Sequence, residues 1–381
     1  MLRTFGVEEE LLLVDARTRR PVARGEEIVA AAEEPASGHE LTTEFKGEQL
    51  EVVNPPQTTL DGQLDAIRTG RALAEAAARR FGARVAALST YPLPLAPTRA
   101  SGARYDRMAT RFGVTAAEQL TCGFHVHVEI TSEEEGVAVL DRLRVWLPVI
   151  LALGTNSPFW MGADTGYASY RYQVWGRWPT SGPCQVFGSV ANYRHHCDEL
   201  LGSGAALDDG MLYFDARLSA RFPTVEVRVA DLCLAPEHAA VIAELIRAMV
   251  ETAARQWSTG GRPSAVSAPL LRAWNWHASR FGLEADLPSP LTGTFEPAWA
   301  VVGQLLDAVR PALDDHGTTG AVTSVLDDLL HNGTGAARQR RIHREAGGGP
   351  DALRAVVEAA LATHSDPTGQ EWDGTQAAAL R

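Results

Sequence analysis

Lysine is almost missing from this sequence: of its 35 basic residues, Lys46 alone is a lysine and the rest are arginine. A phosphate-cradling Gly-Lys-Ser/Thr loop and a Schiff-base lysine both need that side chain, so both chemistries lose nearly all their candidates. Phosphate, where bound, is gripped by arginine or metal. Cysteine is sparse too. Cys122, Cys184, Cys197 and Cys233 stand far apart with no Cys-x-x-Cys pair, which excludes a dense disulfide framework and points to reduced thiols in a cytoplasmic protein. Positive charge is in deficit: the net charge of -12 argues against a nucleic-acid partner, which needs a basic surface. Long apolar runs are missing as well. The longest, residues 145–153, is about half of a bilayer span, and residues 1–10 show no basic-then-apolar leader, so neither membrane insertion nor export is expected.

What is present has the composition of a folded domain, with 45% hydrophobic and 22% charged residues in 381. Residues 4–14 read as a strand that places Glu8, Glu10 and Leu12 on one face and Glu9 on the other. Residues 40–53 look extended, with a break at Lys46-Gly47 and a stop at Asn54-Pro55-Pro56. Apolar residues at helical spacing predict a helix over 60–81, with Gly82 suited to its C-terminal turn, and another over 237–257 after Pro236. Ser132-x-x-Glu135 is a capping box that opens a helix running through Trp146, which Pro148 is expected to kink or end. Strands are expected over 84–89 and 120–131. Residues 154–209 are rich in Gly, Pro, Trp, Tyr and Arg with weak periodicity, the pattern of a functional loop system. The expected organisation is one α+β catalytic domain over 1–381, with a helical C-terminal portion at about 297–365 and a flexible tail at 366–381.

Three strands carry the same device. In Thr121-Cys122-Gly123-Phe124-His125-Val126-His127-Val128-Glu129-Ile130 the apolar residues share one face, and His125, His127 and Glu129 share the other. Thr224-Val225-Glu226-Val227-Arg228-Val229 repeats it with Glu226 and Arg228, and Glu8 with Glu10 makes the third. The bland explanation is a half-exposed antiparallel sheet with one wet face. Such a face favours Lys and Thr, whereas carboxylates and imidazoles are the ligands of Mg²⁺ or Mn²⁺. Clustered carboxylates also repel one another unless a cation joins them. Glu44 and Glu51 add ligands only if the chain breaks at Lys46-Gly47, because seven residues apart on one regular strand they would face opposite ways.

Arg171 and Arg177 lie among the aromatics of residues 170–179, where stacked rings and guanidinium forks suit a nucleotide, although aromatic packing explains the same run equally well. His195-His196-Cys197 lacks a spaced partner motif and reads as an ordinary helix or loop turn. Gly333-Thr334-Gly335 followed by arginines reads as a helix start with a solvated basic face.

These residues together resemble glutamate–cysteine ligase family 2. The likeness is carried by Gly6-Val7-Glu8-Glu9-Glu10, residues 44–56, 122–128, 156–188 and 224–231, and residues 333–340. It implies a glutamine synthetase-like fold, a curved antiparallel sheet whose concave polar face holds ATP and Mg²⁺. Glu8, Glu10, Glu44, Glu51, His125 and Glu226 would be the metal ligands, Arg228 the contact to the transferred phosphoryl group, and Arg171 and Arg177 nucleotide or phosphate contacts. His127 would orient substrate, assist proton transfer, or be a satisfied strand histidine. The implied reaction is ATP-dependent amide formation through an acyl phosphate, with glutamate as the carboxylate, cysteine or another amine as its partner, and a homodimer as the assembly. Phosphotransfer to a guanidino group, or a non-catalytic nucleotide- or metal-binding regulator, are the competing readings.

Overall fold

The computed structural model describes residues 2–32 and 37–362, so the expected tail at 366–381 lies outside the described residues. Seven strands form an antiparallel sheet: β1 (Phe5–Asp15), β2 (Glu40–Thr43), β3 (Gln49–Val53), β4 (Ala83–Ala86), β5 (Phe124–Glu129), β6 (Ala216–Leu218) and β7 (Thr224–Val227). Their order is β2-β3-β1-β5-β7-β6, and β4 pairs with the second half of β1. The register sets Glu8 opposite His125, Glu10 opposite Glu51, and His127 opposite Glu226. Three separate polar pairs thereby become one continuous patch.

The other face is closed by helices. α1 (Leu60–Arg79), capped by Thr59, lies on β3 and β4, and α5 (Pro236–Ser258) lies on β1 and β5. Phe5, Val7, Phe124, Val126, Val128, Val225 and Val227 bury their side chains there. Glu9 also points to this side. Fully buried, it is met by Arg71 of α1, whose Nη2 lies 2.6 Å from Glu9 Oε1.

Ser132 caps α2 (Glu133–Leu143) as its capping box predicts. Pro148, however, does not end a helix. It occupies the first turn of a new one, α3 (Leu147–Leu153), because a ring without N–H costs nothing where that N–H has no helical partner. The presumed loop system contains α4 (Tyr170–Trp175), capped by Ser169, and a further helix, Val190–Gly202, capped by Ser189. Serine caps rather than apolar periodicity mark both. After α6 (Ala268–Phe281) come four helices, α7 (Ala298–His316), α8 (Thr319–Asn332), α9 (Gly335–Glu345) and α10 (Gly349–Ala362). No described helix is long and apolar enough to cross a membrane.

Candidate metal and phosphate site

Strand alternation delivers Glu8, Glu10, His125, His127 and Glu226 to one face, and a hairpin delivers the rest. β2 and β3 fold back on each other through Lys46-Gly47, with Thr42 opposite Glu51, so Glu44 and Glu51 both reach Glu10. Three overlapping groups result: Glu8, Glu51 and His125; Glu8, His127 and Glu226; and Glu10, Glu44 and Glu51, each with ligand atoms within 4.8 Å of one another. All six expected ligands are thus brought together, and His127 joins them.

The contacts inside the cluster are those of a charged site rather than a core. His125 Nδ1 lies 3.3 Å from Glu8 Oε2, and His127 Nε2 lies 3.3 Å from Glu8 Oε1. His127 Nδ1 lies 3.0 Å from Thr224 Oγ1. The backbone N–H of Gly123 donates to Glu10 at 2.6 Å, and Thr42 Oγ1 donates to Glu51 at 2.7 Å. Glu226 is gripped twice: Arg228 Nη1 donates to one oxygen and Arg217 Nε to the other, the second at 2.7 Å.

The carboxylates divide into two electrostatic classes. Burial alone would raise Glu8, but the two histidines hold it well below the usual range. Burial likewise opposes ionisation of Glu226, and Arg228 and then Arg217 outweigh it, so this group is held well below the usual range too. Burial and then the neighbouring Glu10 push Glu44 up to about 8, and burial followed by Glu44 pushes Glu51 well up. His125 is lowered by burial and by Arg228; His127 is raised because Glu8 beside it outweighs burial. Carboxylates that resist ionising only because they are crowded and dry are what a divalent cation relieves. Nε2 of both His125 and His127 is buried without a hydrogen-bond partner. Donor set and orphaned nitrogens fit Mg²⁺ or Mn²⁺.

The two arginines of the aromatic run part company. Arg171 is 2% exposed, and its Nη2 lies 3.4 Å from the Arg228 carbonyl oxygen, at the edge of the cluster. Arg177 lies on the outside instead, paired with Glu118 at 2.6 Å, and no contact joins it to the cluster. The rings around them pack on each other: Trp175 and Trp178 both lean on Tyr213, at 4.6 and 5.5 Å between centroids. His195 is exposed and pairs with Glu199 of its own helix. The start of α9 is closed by Thr155, whose carbonyl takes the Ala336 N–H at 3.0 Å.

Three residues of this neighbourhood are invisible to pattern reading. Arg217 lies on a three-residue strand too short to show alternation. Asp215 is buried with Tyr172 and Asn275, and its carbonyl takes the Arg228 N–H at 2.9 Å. Asp231 is fully buried and accepts three hydrogen bonds, from Asn156, Ser157 and Ser169. Asp215 and Asp231 depend on partners that lie far away in sequence.

Comparison with known proteins places the chain in a family and gives its fold relatives. The family model described as glutamate-cysteine ligase family 2 matches residues 4–371. A protein provisionally named glutamate–cysteine ligase 2-1, from Paenarthrobacter aurescens, is 51% identical over 371 residues, covering 96% of each chain. One with the same provisional name from Streptomyces avermitilis is 46% identical over 357 residues, 93% of this chain and 99% of that one. Among solved structures, a bifunctional glutathione synthetase from Pasteurella multocida superposes with a TM-score of 0.70 at 16% identity. The match takes in 96% of this chain and 53% of that longer one. A glutamate–cysteine ligase from Francisella tularensis, solved in complex with AMP, gives 0.65 at 13% identity, over 96% of this chain and 90% of that one. At such identities these two establish the fold alone.

Proposed function

Because the chain belongs to glutamate–cysteine ligase family 2 and is a carboxylate–amine ligase, we propose that its polar sheet face activates a carboxylate with ATP and passes the acyl group to an amine. The observation that carries this reading is the convergence of Glu8, Glu10, Glu44, Glu51, His125 and Glu226 on one patch with Arg228 among them. Their ligand atoms would hold Mg²⁺, or Mn²⁺ in its place, and a divalent ion there supplies neutralisation of charge on phosphate oxygens.

Substrate carboxylate oxygen attacks the γ-phosphorus of ATP, the bond to the β-γ bridging oxygen breaks, and ADP leaves an acyl phosphate. Arg228, fixed by Glu226 on one side and backed by the Asp215 carbonyl, presents a rigid guanidinium to the transferring group. The amine then attacks the acyl carbon, inorganic phosphate departs, and the amine's surplus proton passes to solvent. Glutamate and cysteine, the pair in the family's name, would give γ-glutamylcysteine. His127 serves as a ligand beside Glu8 and Glu226 rather than as a proton shuttle, because its Nε2 faces Glu8 and Thr224 lies against its other nitrogen.

The test is ADP release with Mg²⁺ and pooled amino acids and amines, with the product identified by mass. Release that requires both a carboxylate and an amine is expected. ATP left intact across all pairs overturns the ligase chemistry, and a stable phosphorylated guanidine without an amine would make the chain a phosphotransferase.

A further inference from the structure

Arg171 is a buried cation with no direct counter-charge: among the described residues no carboxylate comes within ion-pair distance of it, and its Nε has no hydrogen-bond partner. An arrangement of that kind is unfavourable unless something nearby compensates it. Burial depresses its basicity, and Asp231 is the foremost group opposing that. Yet the Asp231 oxygens are committed elsewhere. Oδ2 accepts from Asn156 N at 2.8 Å and Ser157 Oγ at 2.7 Å, and Oδ1 accepts from Ser169 Oγ at 2.7 Å.

Those two serines frame the first turn of α4. Ser157 Oγ accepts the N–H of Arg171 at 3.0 Å, and Ser169 Oγ accepts that of Tyr172 at 3.3 Å. One carboxylate therefore orients the hydroxyl that holds the Arg171 N–H and the hydroxyl that caps the helix carrying it, and balances the guanidinium at a distance without occupying its donors. Gly123 completes the arrangement. A Cβ there would overlap Arg171 Nη2 and stand 3.0 Å from His125 Nε2, so the bare glycine leaves the room that the guanidinium occupies beside the cluster.

We propose that Asp231 is a positioning residue of the ligase site, holding Arg171 through Ser157 and Ser169 so that its guanidinium stays unpaired and open to a phosphoryl oxygen of the substrate. The proposal rests on the ligase reading, with ATP as the phosphoryl donor. It makes Arg171 the working group and Asp231 its aim, so the two act in series.

The test is a double-mutant cycle of Arg171→Ala and Asp231→Asn, read on kcat and KM for ATP and, independently, on the affinity for Mg²⁺ with adenylyl imidodiphosphate. Arg171→Ala is expected to lower kcat about 100-fold, as loss of a donor to developing charge does. Asp231→Asn is expected to lower it on the order of 10-fold, and to lower it no further when Arg171 is already alanine. Gly123→Ala, whose Cβ would overlap Arg171 Nη2, is expected to lower kcat as Arg171→Ala does, and to lower it little further once Arg171 is alanine and the overlap is gone. Equal losses from Asp231→Asn in both backgrounds, or an Asp231 effect explained by melting temperature while Gly123→Ala is harmless, overturn the proposal. A wild-type chain that binds the analogue but releases no ADP overturns the ligase reading only; the same cycle on analogue affinity then decides the positioning role, coupling supporting it and additivity refuting it.

Discussion

At Asp215 the fold favours the protonated acid, because burial outweighs the hydrogen bond from Tyr172 and pushes the carboxyl up to about 7. The unfolded chain holds the same group near 3.9, so folding binds a proton in between. The stability this supplies is complete below about pH 3.9 and is lost as pH rises through about 7. Asp215→Asn keeps the shape and removes the titration, so the fall in unfolding free energy between those pH values should flatten in denaturant titrations. Glu226→Gln acts on the site instead. It leaves Arg217 and Arg228 without their shared carboxylate, and should weaken Mg²⁺ binding, read by calorimetry, and lower ADP release by about 10- to 100-fold. Residue patterns foretold part of this neighbourhood. Alternation separates Glu8 and Glu10 from Glu9, but nothing local distinguishes Arg171 from Arg177, whose fates depend on Asp231 and Glu118. Asp215 and Asp231 are illegible for the same reason, and Arg217 because its strand is only three residues long.

At the scale of elements, α1 lies tight against β3 at Gly70, where a Cβ would stand 2.6 Å from Asn54 Oδ1 and 2.8 Å from a Val52 methyl. Gly70→Leu should pry the helix off the sheet and cost about 1–3 kcal/mol, or more, measured by urea unfolding. Strand alternation and helix caps made most elements readable, including the break that turns residues 40–53 into a hairpin. Their ends and exceptions were less readable. α4 is six residues long, too short for apolar periodicity to register, and its Ser169 cap is one serine among several. Pro148 shows the limit of a local rule: the same residue stops one helix or starts another according to its neighbours, and here the apolar run Leu147–Leu153 makes it a start.

Across the whole molecule, the C-terminal helices belong to the same core as the sheet. Leu353, Val356 and Val357 of α10 pack in one cluster with Leu11, Leu13 and Val85, and Gln339 of α9 donates to the Asn156 carbonyl at 2.8 Å. A chain ending at residue 348 should therefore aggregate or lose its cooperative melt, which size-exclusion chromatography and thermal circular dichroism would show. This dependence could not be read from helical pattern alone, which says that helices exist but not where they dock. The buried pair of Glu9 and Arg71 has its meaning at this scale too. Arg71 also donates to the carbonyls of Cys233 and Leu234, so one side chain ties α1, β1 and the chain leading into α5. A one-residue slip of β1 would turn Glu8 and Glu10 toward the apolar helices and leave Arg71 facing two carboxylates it cannot both match, while Glu9 alone would reach the metal side. Arg71 thus works as a proofreader of strand alignment: it rejects the misfolded pairing that would look almost native in backbone but carry no site.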